Sequence, residues 1–189
     1  DPTPHHLQLL KQAFKYLLGT AELGLQYSVG NGRVELTAFS DADWAGSSAD
    51  AKSTTGMILK LGGATVSWVC QKQTTVAMSS TEAEYIAASE TAREILHTRI
   101  LLADMGFAQP SPTPLHIDNQ TAIRMALEDG NAQRRKHINV KHHFLREKVA
   151  ERMIELRWVP TAEQEADIMT KATARNQFFH IRALVMGLN

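Results

Sequence analysis

The spacing of apolar residues divides this chain of 189 residues into helical and extended segments. Over 4–18 the apolar positions recur every three or four residues, which predicts an amphipathic helix that ends at Gly19. A longer helical pattern covers about 81–104 and ends at Gly106. Further helices are predicted at about 119–128, at about 139–152 and from about Glu165 onward, and β-type runs at about 34–41, 55–61, 64–71, 115–118 and 154–159.

The order of these elements predicts a mixed β-sheet. Gly62 and Gly63 separate the second and third β-type runs, and such a pair is a strong hairpin signal. The last two runs each follow a helical segment, which favours parallel strands joined through helices. We therefore predict an α/β fold whose five-stranded sheet has three antiparallel and two parallel strands, with helices on both faces. Ligands of such sheets bind at the strand ends beside the change in strand order.

Composition adds few constraints. The 20 Lys and Arg residues balance the 20 Asp and Glu residues, so a nucleic-acid partner must be recognised by a local patch. The single cysteine, Cys70, excludes an internal disulfide, and its position in an apolar run predicts a buried thiol. No apolar stretch approaches the roughly 18 residues that a membrane span requires.

Acidic residues stand where apolar runs meet polar segments, and they do so in four separate elements. Carboxylates are costly to bury, so at such positions they usually face solvent or bind a cation. Two carboxylates about 4 Å apart repel by roughly 4 kcal/mol at an effective dielectric constant near 20, so a bound Mg²⁺ would stabilise a cluster. The acids are Asp41 and Asp43 in the first β-type run and its turn, Glu82 and Glu84 in the long helix, Asp118 after the fourth run, and Asp167 in the last helix.

Each of these acids has an alternative explanation that involves only the local backbone. Turns, helix N-caps and first helical turns all favour acidic side chains. These local roles do not explain why an acid recurs at the boundary of each apolar element. The alternatives are turn residues for Asp41 and Asp43, an N-cap for Asp118, a helix-dipole contact for Asp167, and capping boxes for Glu82 and Glu84.

Five motifs occur in a fixed order: SDADWAG at 40–46, SSTEAEY at 79–85, IDNQTA at 117–122, KHINVKHHFLRE at 136–147 and EADIMTK at 165–171. Together they resemble the ribonuclease H domain of copia-type LTR retrotransposon polyproteins. The opening helix resembles the segment that joins the upstream polymerase to this domain. The resemblance implies a helical connection segment over 1–33, a ribonuclease H domain over 34–189, and the reverse transcriptase polymerase domain of the parent polyprotein as a partner.

The resemblance also implies a function, the hydrolysis of the RNA strand of RNA–DNA hybrids during reverse transcription. Asp43 is the second choice for the first acid, and Glu84 is preferred to Glu82 because it shares its helical face with apolar residues. The expected cofactor is a pair of Mg²⁺ ions, with Mn²⁺ as a substitute. The acids that match the catalytic, metal-binding set are Asp41, Glu84, Asp118 and Asp167.

Substrate recognition requires further groups. RNA–DNA hybrids are read through shape and 2′-hydroxyl groups, which calls for short polar side chains beside the metals. Ser80, Thr81 and Gln120 stand at matching positions, although Ser80 and Thr81 could equally cap a helix. The basic segment 134–148 could bind phosphates or form a solvated helix face. Its predicted phosphate-binding residues are Arg134, Arg135, Lys136 and Lys141.

Two other functions are compatible with the sequence. The first is a catalytically inert module of the same fold that binds nucleic acid or tethers the polymerase. The second is a transposase-like DNA nuclease, against which the fourth acid argues. No histidine lies between Pro160 and Asp167, where many cellular members of the family carry one on a loop. The resemblance implies a cytoplasmic, virus-like-particle location or a nuclear one.

Overall fold

The structure is a computed structural model that describes residues 1–27, 34–47, 49–127 and 139–188. Its helices and strands follow the predicted order along the chain. The strands are β1 Leu36–Asp43, β2 Thr54–Leu61, β3 Ala64–Lys72, β4 Thr113–Ile117 and β5 Ile154–Trp158. The helices are α1 Pro4–Gly19, α2 Ser80–Asp104, α3 Gln120–Leu127, α4 Asn139–Ala150, α5 Asp167–Thr170 and α6 Arg175–Met186, with a 3₁₀ turn at Thr161–Glu163.

The five strands form one mixed sheet in the order β3-β2-β1-β4-β5. The β1–β2 and β2–β3 pairs are antiparallel, whereas the β1–β4 and β4–β5 pairs are parallel. Gly62 and Gly63 form the β2–β3 turn with φ values of 60° and 87°, a region that favours glycine. The predicted sheet is therefore confirmed. Because β1 and β4 run parallel, their carboxyl ends meet at one edge of the sheet.

Helices cover both faces of the sheet. The long helix α2 packs on one face through small residues such as Ala88 and Ala92, which let it approach the strands closely. On the other face, Ile181 and Val185 of α6 pack on Ile58 of β2. The largest core cluster joins α2 to the strands through Tyr85, Ile95, Leu36, Leu59, Leu115 and Ile117, all buried.

The N-terminal helix α1 has no buried residue. The chain after it returns to the sheet, because the backbone N–H of Gln26 donates to Met186 and the hydroxyl of Tyr27 donates to the carbonyl of Thr65. Contacts therefore cross the predicted boundary at residue 33, which itself stays a prediction. None of the helices in the described ranges combines the length and apolar content that a membrane crossing needs.

Three local predictions differ from the structure. Strand β1 continues through Asp43, so Asp41 lies within the strand, paired with Gly56, rather than after it. The last helix begins at Asp167 rather than near Glu165, whose side chain is buried against Lys60, and it is interrupted at 171–174 before α6. Cys70 is exposed, because β3 is an edge strand and its alternate residues face solvent.

Candidate active site

Three acids from three different elements meet at the carboxyl edge of β1 and β4. Asp41 lies in β1, Glu84 in the first turns of α2, and Asp118 directly after β4. One carboxylate oxygen from each lies within 4.8 Å of the others. Asp41 is 1% exposed and Glu84 is 7% exposed, so the cluster is largely shielded from water. The parallel pairing of β1 with β4 brings Asp41 and Asp118 together, and α2 adds Glu84 from the covering layer.

The electrostatics of this triad favour the binding of a cation. Burial, together with the negative charges of Asp41 and Asp118, raises the pKa of Glu84 to about 9. Among the described residues, Glu84 Oε2 has no hydrogen-bond partner although it is buried. A buried carboxylate oxygen without a donor, beside two further carboxylates, fits a hard divalent cation. The donor set, all oxygen, is the one that Mg²⁺ prefers.

The fourth predicted acid lies on the other side of Asp41. Asp167 begins α5 and is fully buried. Lys171 Nζ lies 2.9 Å from Asp167 Oδ1 and 3.6 Å from Asp41 Oδ2, and the hydroxyl of Thr170 donates to Asp41 Oδ2. Burial raises the pKa of Asp167, while the hydrogen bond from Lys171 lowers it. The structure therefore brings all four predicted acids to one edge, with Asp167 joined to Asp41 through a lysine.

The short segment that carries Asp167 is fixed by polar contacts to the sheet. The amide of Gln164 donates to the carbonyl of Ser40 at 3.0 Å, and Lys60 Nζ donates to Glu165 Oε1 at 2.8 Å. At the other end, the hydroxyl of Thr161 donates to Asp118 Oδ2 at 2.9 Å. These bonds hold the segment across β1, β2 and the end of β4.

A glycine in β2 permits this close approach. A Cβ atom built on Gly56 would lie 2.6 Å from Thr170 Cγ2 and 2.9 Å from Met169 Cβ. Any larger residue at this position would push α5 away from Asp41. Four residues of this region are not among the predicted site residues: Gly56, Thr161, Thr170 and Lys171. The only available signal was the lysine at the end of the EADIMTK motif, one helical turn after Asp167.

The structure assigns the helix caps to residues other than the predicted metal ligands. The Asn119 side chain accepts hydrogen bonds from the backbone of Thr121 and Ala122, each at 3.0 Å, so Asp118 does not cap α3. Ser79 accepts from the backbone of Glu82. The Glu82 carboxylate in turn accepts from the backbone of Met78 at 2.9 Å.

The remaining acid, Asp43, lies at the turn that follows β1. It is the last residue of β1, and its carboxylate lies against Gly46, where a Cβ atom would clash with it. The capping and turn alternatives therefore hold for Glu82 and Asp43. They do not hold for Glu84 or Asp118.

The predicted substrate-binding residues fall into two groups. Ser80 and Thr81 open α2 beside Glu84, and Gln120 opens α3 and is exposed. These three side chains are accessible at the edge that carries the acids. The four basic residues cannot be placed: Arg134, Arg135 and Lys136 lie outside the described residues, and so does the side chain of Lys141 in α4.

Two exposed tryptophans flank the acids and were not predicted. Trp158 ends β5, is 51% exposed and donates its indole N–H to the carbonyl of Asp118 at 3.1 Å. Trp44 donates to the carbonyl of Ala77 at the same distance. Each ring is held at one edge while much of its surface stays accessible. Exposed aromatic faces of this kind can stack on nucleic-acid bases.

Comparison with known proteins places the chain in a polyprotein context. The chain is 38% identical over 177 residues to the retrovirus-related Pol polyprotein from transposon RE1 of Arabidopsis thaliana. It is 35% identical over 185 residues to the corresponding protein from transposon TNT 1-94 of Nicotiana tabacum. These alignments cover 94% and 98% of this chain but 12% and 14% of the polyproteins, so the chain spans a small part of them. No protein-family model matches the chain.

Among solved structures, ribonucleases H have a fold similar to that of this chain. LC11-RNase H1, isolated from compost by a metagenomic approach, aligns with a TM-score of 0.53 at 13% identity, covering 72% of this chain and 92% of that one. Its complex with an RNA/DNA hybrid aligns with a TM-score of 0.51 at 12% identity, covering 72% and 94%. The resemblance drawn from the motifs and the predicted fold class are both confirmed.

Proposed function

We propose that this chain, a homologue of part of the retrovirus-related Pol polyproteins of transposons with the fold of a ribonuclease H, hydrolyses the RNA strand of RNA–DNA hybrids. The observation that carries the proposal is the convergence of Asp41, Glu84 and Asp118 within 4.8 Å, with a buried Glu84 oxygen that lacks a donor. The hybrid-bound structure of LC11-RNase H1 supports this substrate class. The matching polyproteins support a reverse transcriptase polymerase domain as the partner in the parent chain.

The residues of the site have separate tasks in this function. Asp41, Glu84, Asp118 and Asp167 would hold divalent cations, which when bound activate a water and neutralise charge on the phosphate. Glu84, whose pKa burial and the charges of Asp41 and Asp118 raise to about 9, would hold a cation as its carboxylate. Thr161 orients the carboxylate of Asp118, and Thr170 orients that of Asp41. Ser80, Thr81, Gln120 and Trp158 would contact the hybrid at its sugars and bases.

The cation requirement is tested with one hydrolysis assay on matched RNA–DNA, RNA–RNA and DNA–DNA duplexes. We expect Mg²⁺ or Mn²⁺ to support cleavage of the RNA strand of the hybrid, leaving 5′-phosphate and 3′-hydroxyl ends. Ca²⁺ should support binding without cleavage, because it is larger and tolerates irregular coordination. End-labelled strands resolved on a gel give both rate and end chemistry.

The same assay separates the alternatives. Hybrid cleavage that persists in excess chelator would contradict the role of the acids. Cleavage of the DNA–DNA duplex would favour a transposase-like nuclease instead. Binding of the hybrid with every cation but no cleavage with any of them would favour the inert module.

The basic segment gives an independent prediction about binding. Exchanging Arg134, Arg135, Lys136 and Lys141 for Gln should weaken hybrid affinity and flatten its salt dependence, by about 0.9 in slope for each phosphate that is no longer neutralised. Fluorescence anisotropy over a salt series measures both. Lys148→Gln is the matched control, because Lys148 already pairs with Glu147 at 2.6 Å and Glu151 at 2.9 Å. If the quadruple variant shows the same dependence of affinity on salt concentration as the wild type, the segment is a solvated helix face that does not contact phosphates.

A further inference from the structure

The acids at the sheet edge fall into two groups that share Asp41. The first group is the triad of Asp41, Glu84 and Asp118, whose oxygens lie within 4.8 Å of one another. The second is the pair of Asp41 and Asp167, between which the Lys171 ammonium lies at 3.6 Å and 2.9 Å. Each end has a buried carboxylate oxygen without a hydrogen-bond donor, Glu84 Oε2 at the triad and Asp167 Oδ1 at the pair, but only the second also has an ammonium beside it, 2.9 Å from Asp167 Oδ1.

The position of Lys171 is set by the fold. It follows Asp167 by one helical turn at the C-terminal end of α5, so the two side chains lie on the same side of the helix. The neighbouring Thr170 is anchored on Asp41, which holds this end of α5 against β1. Lys171 is 39% exposed at its side chain, and its flexible stem can carry the ammonium from the carboxylates into water.

An ammonium and a divalent ion compete for the same oxygens. Lys171 Nζ is close to one oxygen each of Asp41 and Asp167, and these are atoms that a cation at this end of the cluster would need. A second divalent ion therefore has to displace a positive charge that is tethered to the protein, whereas an ion at the triad does not. The two ends of the site should differ in affinity for this reason.

We propose that Lys171 is a tethered cation that occupies the Asp41–Asp167 end of the cluster and competes there with the second divalent ion. The first ion binds at the triad, and the second binds only as the ammonium withdraws. The inference rests on the cation site of the proposed function but not on its substrate. Binding of the two ions is thus sequential and unequal, and Lys171 sets the cation concentration at which the site is filled.

The test is a Mn²⁺ titration of the full chain without nucleic acid. Free Mn²⁺ is counted by electron paramagnetic resonance, and affinities come from calorimetry. The variants are Lys171→Met, which removes the charge, and Lys171→Arg, which keeps it. Lys72→Met is the matched control, because it removes a lysine that pairs with Asp50 on the surface. We expect the second ion to bind about tenfold more tightly in Lys171→Met, with little change in the other two variants.

Unchanged or weaker binding of the second ion in Lys171→Met would overturn the proposal. A second measurement uses the wild type, so that it remains informative if Lys171→Met does not fold. The ¹⁵N-labelled ammonium signal of Lys171, assigned by its loss in Lys171→Arg, is followed through a Mg²⁺ titration. We expect a large change only with the second ion. A signal that never responds, or that changes fully with the first ion, would also overturn the proposal.

The outcome is distinguishable from that of the proposed function. Hybrid cleavage is measured separately in the wild type. If hybrids are not cleaved but the second Mn²⁺ still responds to Lys171→Met, the substrate assignment fails and the role of the lysine stands. If hybrids are cleaved but the affinity for the second Mn²⁺ does not change in Lys171→Met, the function stands and this inference fails.

Discussion

Glu84→Gln is expected to lower single-turnover hybrid cleavage by roughly 10³-fold, a loss of about 4 kcal/mol of transition-state stabilisation. Glu84 lies within 4.8 Å of Asp41 and Asp118, and the amide has nearly the same shape but cannot carry the charge that a cation requires. Its melting temperature in chelator should not fall, because burial and neighbouring charges already favour the neutral form of Glu84 without a cation.

Glu82→Gln is the matched control for this prediction. Glu82 lies two residues away on α2, about 200° around the helix axis. Its carboxylate accepts from the backbone of Met78, and the amide oxygen of Gln can still accept that bond. The rate should therefore stay close to that of the wild type, with a stability loss of at most about 1 kcal/mol. An inactive Glu82→Gln beside an active Glu84→Gln would show that the site uses the other glutamate.

Asp118→Asn should also abolish most hybrid cleavage, again by roughly 10³-fold, while the protein stays folded. The substitution removes a charge from the triad, but the side-chain oxygen of Asn can still accept from Thr161. The cap of α3 is unaffected because Asn119 provides it. Single-turnover rates and melting temperatures of the same preparations measure both effects.

Asn119→Ala, at the neighbouring position, is the matched control for Asp118→Asn, and it should lower stability without lowering the rate. It removes the cap of α3, which should cost about 1 kcal/mol and lower the melting temperature by about 2–4 °C. It leaves the four carboxylates in place, so the rate should stay close to that of the wild type. If Asp118→Asn reduced stability and kept its rate, while Asn119→Ala became inactive, the assignment of cap and ligand would be reversed.

Much of the fold could be predicted because local patterns report local structure. Alternating apolar residues, the Gly62–Gly63 turn and the long helical repeat each reflect interactions among residues close in the chain. The exposure of Cys70 was predicted wrongly, since an apolar run does not reveal whether its strand is central or at the edge. The contact of Glu165 with Lys60, just before the last helix, was not predicted because the two residues lie far apart in the sequence.

The candidate site shows the same division. Residue types placed acids at element boundaries, and the resemblance of the motifs to a known family then singled out Asp41, Glu84, Asp118 and Asp167. The sequence left each acid with an equally good local role. Only the contacts of Asn119 and Glu82 with neighbouring backbone showed which side chains serve as caps.

The sequence by itself determined the elements, their order and the mixed sheet, since these depend on spacing and residue type, and its motifs pointed through their resemblance to the four acids. The tertiary structure decided which carboxylates share a buried edge, why the pKa of Glu84 rises, and that Lys171 lies between Asp41 and Asp167. Those properties depend on distances between segments far apart in the chain. Burial and charge act through space, so they appear only when the parallel pairing of β1 with β4 and the packing of α2 and α5 bring the segments together.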